Sequence, residues 1–529
     1  MKKNIFAVTL LYFGLMSCGD SFLDVAPTDK LSDETFWKTE KDADLALAGC
    51  YRGWENYTNI VFLDAAADNG YDQFNYSIQP IGNGQILPTS GWGAWYDGDA
   101  GKWFPYYRIR KYNNFLEKVG NIVMDESRKE KYKAEVRFLR AYDYFNKVMF
   151  YGDVPLVTEV IADPQSSALA RTPKAEVEAF IIKELTEIAP KLPVQNTIES
   201  RGHITQGAAY ALKARLELYQ GKYAEAMVSV KKVIDMSCFE LFPTYEEMFW
   251  PESESTNKEA ILNIQYIKDE YNSMLPQLNL PAVEGGWSAL GASWKLIESY
   301  QMANGKSINE TGSGYDDNNP FKNRDPRMNM TVLCPGEFYN GRYYNSLDKF
   351  INGVKNLDFH EEAAASRTGL LVKKYIKPMS VENMNNYDGN IMVIRLAEMY
   401  ITFAECAVKT GKDTDLALQY INRIRNRAGI EPASALTEDL VRYERRAELA
   451  FEGLRYFDIK RWNMGSQVLN GPLYGSREGS VDPATGKVTW KNTYIKLEDR
   501  IFQQTRNYLL PIPQAELDRN PQMTQNPGY

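Results

Sequence analysis

The sequence predicts a mostly α-helical protein. A scaffold of about four tetratricopeptide-like helix pairs carries an irregular, loop-rich half. Three observations predict this. Apolar residues recur at 3.6-residue spacing through several segments. A Tyr/Ala/Val pattern set around Gly221 returns around Gly411. Two long stretches, 59–103 and 248–390, break the helical period and concentrate Gly, Asn, Asp and aromatic residues. With 44% hydrophobic and 25% charged residues over 529 positions, the chain has ordinary globular composition and can bury a sizeable core.

The elements follow in order. Lys2 and Lys3 precede an apolar run from Ile5 to Met16, long enough for a signal sequence and too short to span a bilayer. Leu15-Met16-Ser17-Cys18 resembles a bacterial lipobox, which makes residues 1–17 a signal peptide and Cys18 the lipidated first residue. The alternative is an ordinary cleaved signal with a cysteine nearby by chance. Residues 18–38 read as a tether. A helical region, 39–245, opens with Ala43, Leu47, Cys50, Tyr51 and Trp54 in helical register. Helices follow at 106–120, 129–150 and 172–189. The second ends at Gly152-Asp153-Val154-Pro155, and the third takes Thr172 as N-cap and Pro173 as first residue. In 206–234, Tyr210 and Ala214 precede the Gly221 turn, and Tyr223, Ala226, Val230 and Val233 follow it. Tyr400 and Ala404 precede Gly411 at the same distances, while Ala417, Ile421 and Ile424 come one residue late. Small residues at such positions let two antiparallel helices approach. The C-terminal region, 246–529, holds the irregular insertion 248–390, a helix over 438–453 and an extended, Pro- and Asn-rich tail from Lys491.

Composition removes several function classes. Two His make histidine metal clusters and proton-shuttle chains poor readings. A net charge of −8 without a basic run argues against nucleic acid. Cys50, Cys238, Cys334 and Cys406 are far apart and form no CxxC pair. Export permits a disulfide, but Cys50 and Cys406 sit among Ala and Leu and read as buried free thiols.

The chain resembles the SusD/RagB family of surface nutrient-binding lipoproteins of Bacteroidetes-type bacteria. The resemblance rests on Arg140-Ala141-Tyr142-Asp143-Tyr144-Phe145 with Tyr151-Gly152-Asp153-Val154-Pro155, on Arg395-Leu396-Ala397-Glu398-Met399-Tyr400, and on Asp325-Pro326-Arg327. Arg445-Arg446-Ala447-Glu448-Leu449-Ala450-Phe451-Glu452-Gly453 and Leu510-Pro511-Ile512-Pro513 complete it. It covers nearly everything after Cys18. The resemblance implies an outer-membrane, lipid-anchored helical platform with an irregular ligand-binding half. It also implies an oligosaccharide ligand bound without chemistry, and a TonB-dependent SusC-like transporter as partner. Cargo of peptide instead of glycan, a glycoside hydrolase on the same scaffold, or a pure interaction scaffold remain as alternatives.

Sugars offer C–H faces to flat rings and hydroxyls to carboxylates, amides and Arg. With 34 Tyr and 10 Trp, not every ring can be core. The Gly-rich loop 59–103 supplies Asp68, Asn69, Tyr71, Phe74, Trp92, Trp95 and Tyr96, and the Gly285-Gly286-Trp287-Ser288 run supplies Trp287. These are the candidate glycan contacts. Trp103, Tyr107 and Trp294 sit in helical runs and read as packed. Arg445, Arg446, Glu448 and Glu452 read as ion pairs along one helix or as a partner-facing charged strip. Arg140 with Asp143, and Arg455 with Asp458, read as buried pairs that set helix register. No catalytic motif stands out. Gly286-Trp287-Ser288-Ala289-Leu290 lacks the final Gly of a nucleophile elbow. Asp97-Gly98-Asp99-Ala100-Gly101 hints at calcium, but Arg108 stands where an EF-hand needs Glu, leaving only a site of another kind. No cofactor is called for.

Overall fold

A computed structural model describes residues 36–74, 78–90, 103–161, 168–197, 200–379 and 383–529. The signal region, Cys18, and the Trp92, Trp95, Tyr96 and Asp97–Gly101 stretch lie outside the described residues. The fold is mostly helical. Among the described residues no helix is long and apolar enough to cross a membrane.

The first helix, Glu40–Tyr51, begins with a Thr39/Asp42 capping box and buries Ala43, Leu47 and Cys50. Trp54 falls just beyond it and packs edge-on against Tyr142 at 5.1 Å. The main array runs Tyr107–Lys118, Glu126–Tyr151, Lys174–Ile188, Gln206–Tyr219 and Tyr223–Asp235, each helix packed on the next. The chain then leaves for the irregular half. It returns with Leu396–Thr410, which packs against Tyr223–Asp235, and continues through Thr414–Ala428. The two repeated segments of the sequence are thus neighbours in space despite the excursion between them. Tyr400 and Tyr420 stack across the second hairpin at 4.4 Å. Gly221 and Gly411 both hold the positive φ their turns need.

Several expectations shift. The third predicted helix starts one residue late: Pro173 is the N-cap, and Thr172 instead bridges Val154. Tyr107 is exposed, whereas Trp103 and Trp294 are buried as read. Residues 59–72 are not a surface loop. They form the Tyr57–Val61 helix, the 3-10 turn Phe62–Ala66 and the strand Gly70–Asp72, nearly all buried. The tail is not simply extended: Gly471–Val481 and Val488–Arg500 form a long antiparallel hairpin. The Asp482–Lys487 turn between two alternating runs was the available signal.

The ionic blocks are internal and link different elements. Glu448 accepts from Arg327 at 3.0 Å, from Arg395 at 2.7 Å and from Arg427. Glu452 accepts from Arg395 at 2.8 Å and Lys374 at 2.7 Å. Glu444 joins Arg327 and Arg425. Residues 444–452 therefore clamp the irregular half, through Arg327 and Lys374, to the helix array, through Arg425 and Arg427. The charged-strip reading is corrected: these side chains face inward. The two assumed pairs also exchange partners. Arg140 binds Glu184, and Asp143 binds Arg108 and Lys147. Arg455 binds Asp68, and Asp458 binds Arg445 and Arg461. The four described cysteines are free, with Cys50, Cys334 and Cys406 buried.

Candidate functional site

The site begins where the buried 57–72 segment reaches the surface. Asn56 caps the Tyr57–Val61 helix by accepting from the Thr58 amide at 3.0 Å. The following turn drives Asp64 and Asp68 inward. Asp64 accepts from Asn69 Nδ2 at 2.8 Å and from the Phe451 amide at 2.7 Å. Burial pushes its carboxyl up to about 6. Asp68 accepts a bidentate pair from Arg455 at 2.7 and 3.0 Å and meets Arg446 at 3.1 Å. Burial opposes its charge, but the two guanidinium groups outweigh that and hold its carboxyl well below the usual range. Asn69, fully buried, donates to Asp64 and accepts from Arg446. Asp68 and Asn69 therefore leave the set of ligand contacts, because their polar atoms are spent inside the protein.

Strand Gly70–Asp72 then pairs antiparallel with Leu290–Ala292, Tyr71 opposite Gly291. This pairing carries the chain outward toward Trp287. Gln73 locks the junction: its amide N–H donates to Ala289 O at 3.1 Å, its side chain donates to Trp287 O at 2.7 Å, and its Oε1 accepts from the Arg367 amide at 3.3 Å. Phe74 and Trp287 meet edge to face, centroids 6.3 Å apart at 83°. Gln73 and Trp287 are 214 residues apart in sequence, yet they share one ledge. Both rings are half-buried, and so is Tyr71. Burial first, then the nearby Glu498 and Asp72 charges, raise the Tyr71 phenol, so it stays a neutral donor near pH 7.

The Trp287 loop is rigid for a local reason. Gly285 ends the turn Ala282–Glu284 in the left-handed region, φ 85°. A Cβ on Gly286 would lie 2.1 Å from the Leu280 carbonyl oxygen, so only glycine fits there. Gln277 closes the loop by donating to Gly285 O at 2.9 Å and accepting, through its carbonyl, from the Trp287 amide at 2.9 Å. Exposed Arg367 stands beside Tyr71, and a guanidinium can donate to hydroxyl groups. Arg367 was not evident from sequence, because it gains its place beside Gln73 only through the strand pairing. Among the described residues no group of three His, Cys, Asp or Glu side chains gathers to hold a metal ion.

A helix array interrupted by an irregular, ring-bearing half is shared with proteins of known sequence and structure. A family model described as "SusD family" matches residues 252–529, and one described as "Starch-binding associating with outer membrane" matches 21–218. The chain belongs to the SusD family. SusD-like protein P2 of Formosa agariphila is 25% identical over the whole of both chains. Starch-binding protein SusD of Bacteroides thetaiotaomicron is 24% identical, covering 80% of this chain and 77% of its own. The crystal structure of a SusD-like carbohydrate binding protein from Bacteroides fragilis superposes with a TM-score of 0.82 at 29% identity, covering 93% of this chain and all of that one.

Proposed function

We propose that this protein is a surface glycan-binding lipoprotein of the outer membrane. It holds an oligosaccharide on the ledge of Tyr71, Phe74 and Trp287, and Trp92, Trp95 and Tyr96 are further candidate contacts. It then passes the sugar uncleaved to a TonB-dependent SusC-like transporter. Cys18 supplies the lipid anchor. Family membership, the carbohydrate-binding relatives and the outer-membrane family description support this reading. The observation that carries it is the Phe74–Trp287 pair. Two half-buried rings, brought edge to face from distant segments with Trp287 on a braced loop, offer apolar surface of the kind that packs on a pyranose.

The test is isothermal titration of the soluble form, starting after Cys18, against fragments of α-1,4-glucan, β-1,3-glucan, xylan, mannan and homogalacturonan. At least one series is expected to bind with its reducing-end count unchanged. Trp287→Ala and Phe74→Ala should each weaken binding about tenfold, the loss of one stacking contact of about 1.4 kcal/mol, with helical circular dichroism retained. Released reducing ends that vanish on replacing one carboxylate would instead establish a hydrolase.

A further inference from the structure

The hairpin Gly471–Val481/Val488–Arg500 spans two places on the molecule. Its base is stitched to the buried segment that leads into the ledge: the Arg500 guanidinium donates to Ala65 O at 3.0 Å and Gly70 O at 3.2 Å, and Glu498 acts on the ledge residue Tyr71. Its far end lies against the Cys334–Glu337 turn. There a Cβ on Gly336 would come within 2.3 Å of the Gly486 carbonyl oxygen, so backbone meets backbone and the contact is fixed. Between this end and the 318–322 segment opens a cleft of 290 Å³. Phe321 and Trp490 stand at its wall, centroids 5.6 Å apart at 79°. The Arg477 guanidinium, 5.6 Å from the Trp490 ring, braces it. Asn319, Lys322, Asn329 and Glu337 are among its polar lining residues. Glu337 is held in place by Lys373 Nζ at 2.7 Å and Asn329 Nδ2 at 3.2 Å. A row of rings leads from this cleft back along the hairpin: Trp294 meets Phe321 at 6.0 Å and Tyr494 at 5.5 Å, and Tyr494 meets Tyr474 at 5.8 Å. Tyr474 and Tyr494 remain 36% and 38% exposed.

We propose that this cleft is a second saccharide subsite, separate from the ledge, and that the hairpin is the track along which one long glycan engages both. The inference rests on the glycan-binding reading above. Ring faces joined with amide, ammonium and carboxylate groups form the chemical set that stacks on a pyranose and reads its hydroxyls. From Glu498, at the ledge, to Trp490, at the cleft, the strand covers about 25 Å at the usual rise per residue. A short fragment reaches one place only. A fragment long enough to span both gains the advantage of linked sites without any new contact.

The experiment titrates wild type with short and long fragments of the five polysaccharides named above. In the series that binds, long fragments should bind at least about tenfold tighter than short ones. Trp490→Ala and Phe321→Ala should erase that gain while short-fragment affinity is kept. Should those variants unfold, the paired surface change Asn319→Ala/Lys322→Ala decides by the same readout. Equal affinity for both lengths in wild type, or a gain that survives every cleft variant, overturns the second subsite and leaves the ledge standing. Trp287→Ala that leaves short-fragment affinity intact, while Trp490→Ala removes it, overturns the ledge and keeps the cleft. Wild type that binds no fragment overturns both.

Discussion

The Asp68 carboxylate answers Arg455 and Arg446 inside the protein, so its replacement is a stability experiment. Asp68→Ala strands two buried guanidinium groups and should cost about 3–5 kcal/mol. A lowered denaturant midpoint checks this. A variant as stable as wild type that loses only sugar binding would restore Asp68 to the ligand contacts. Asp64, one turn earlier, gives a pH signature. Its folded carboxyl titrates at about 6, above the ordinary value near 4. A raised acid favours the fold while protonated, so its contribution is full below about pH 4 and lost as pH rises through about 6. Relative to Asp64→Asn, which does not titrate, wild type should lose about 3 kcal/mol between those limits. Denaturant midpoints of both proteins at the two ends of the window measure the gap, and a constant gap would refute the burial argument. Among the described cysteines, half-buried Cys238 should react first with a thiol reagent in the native protein, ahead of buried Cys50, Cys334 and Cys406.

The Trp287 loop and the long hairpin are positioned by backbone contacts that glycine alone allows. Gly286→Ala places a methyl against the Leu280 carbonyl. The loop must shift, and glycan affinity should fall although no ligand contact is removed, as a titration of this variant beside Trp287→Ala would show. Retained affinity would mean the loop adapts without moving the ring. Such devices are only half legible in sequence. Gly285-Gly286-Trp287 announces a special turn, but the carbonyl that forbids a side chain comes from Leu280, which carries no signal of its own. The 59–72 segment misleads for a related reason. Its Asn, Asp and Gly residues have loop composition, yet Asp64, Asp68, Asn69 and the Ala65 carbonyl accept from Arg446, Arg455, Arg500 and the Phe451 amide, all supplied from the far end of the chain.

The whole molecule is held across its two halves by the charges around Arg395. That guanidinium is buried and reaches Glu259, Glu448 and Glu452 at once. Burial opposes the charge of Glu448, but Arg427, Arg395 and Arg327 outweigh it and hold its carboxyl well below the usual range. Arg395→Met leaves three carboxylates short of their partner in a dry interior. We expect a loss of about 3 kcal/mol or more, seen as a melting point several degrees lower, with the irregular half loosening first. Proteolysis of the variant should therefore cut within 248–390 before it cuts the helix array. An unchanged cleavage pattern would show that the apolar contacts alone hold the halves together.

Helix spacing, the Gly221 and Gly411 turns and the family blocks were legible in the chain itself, because helical periodicity and turn chemistry are local and each window carries its own record. The pairing of Phe74 with Trp287, the inward turn of Asp68 and the exchange of ionic partners were not. Each depends on which distant segment arrives alongside, and side-chain chemistry is the same in either surrounding until burial and a neighbour assign its use. The ring-rich stretches carry their composition in the sequence, while the strand pairing of 70–72 with 290–292 chose which of their rings lie together.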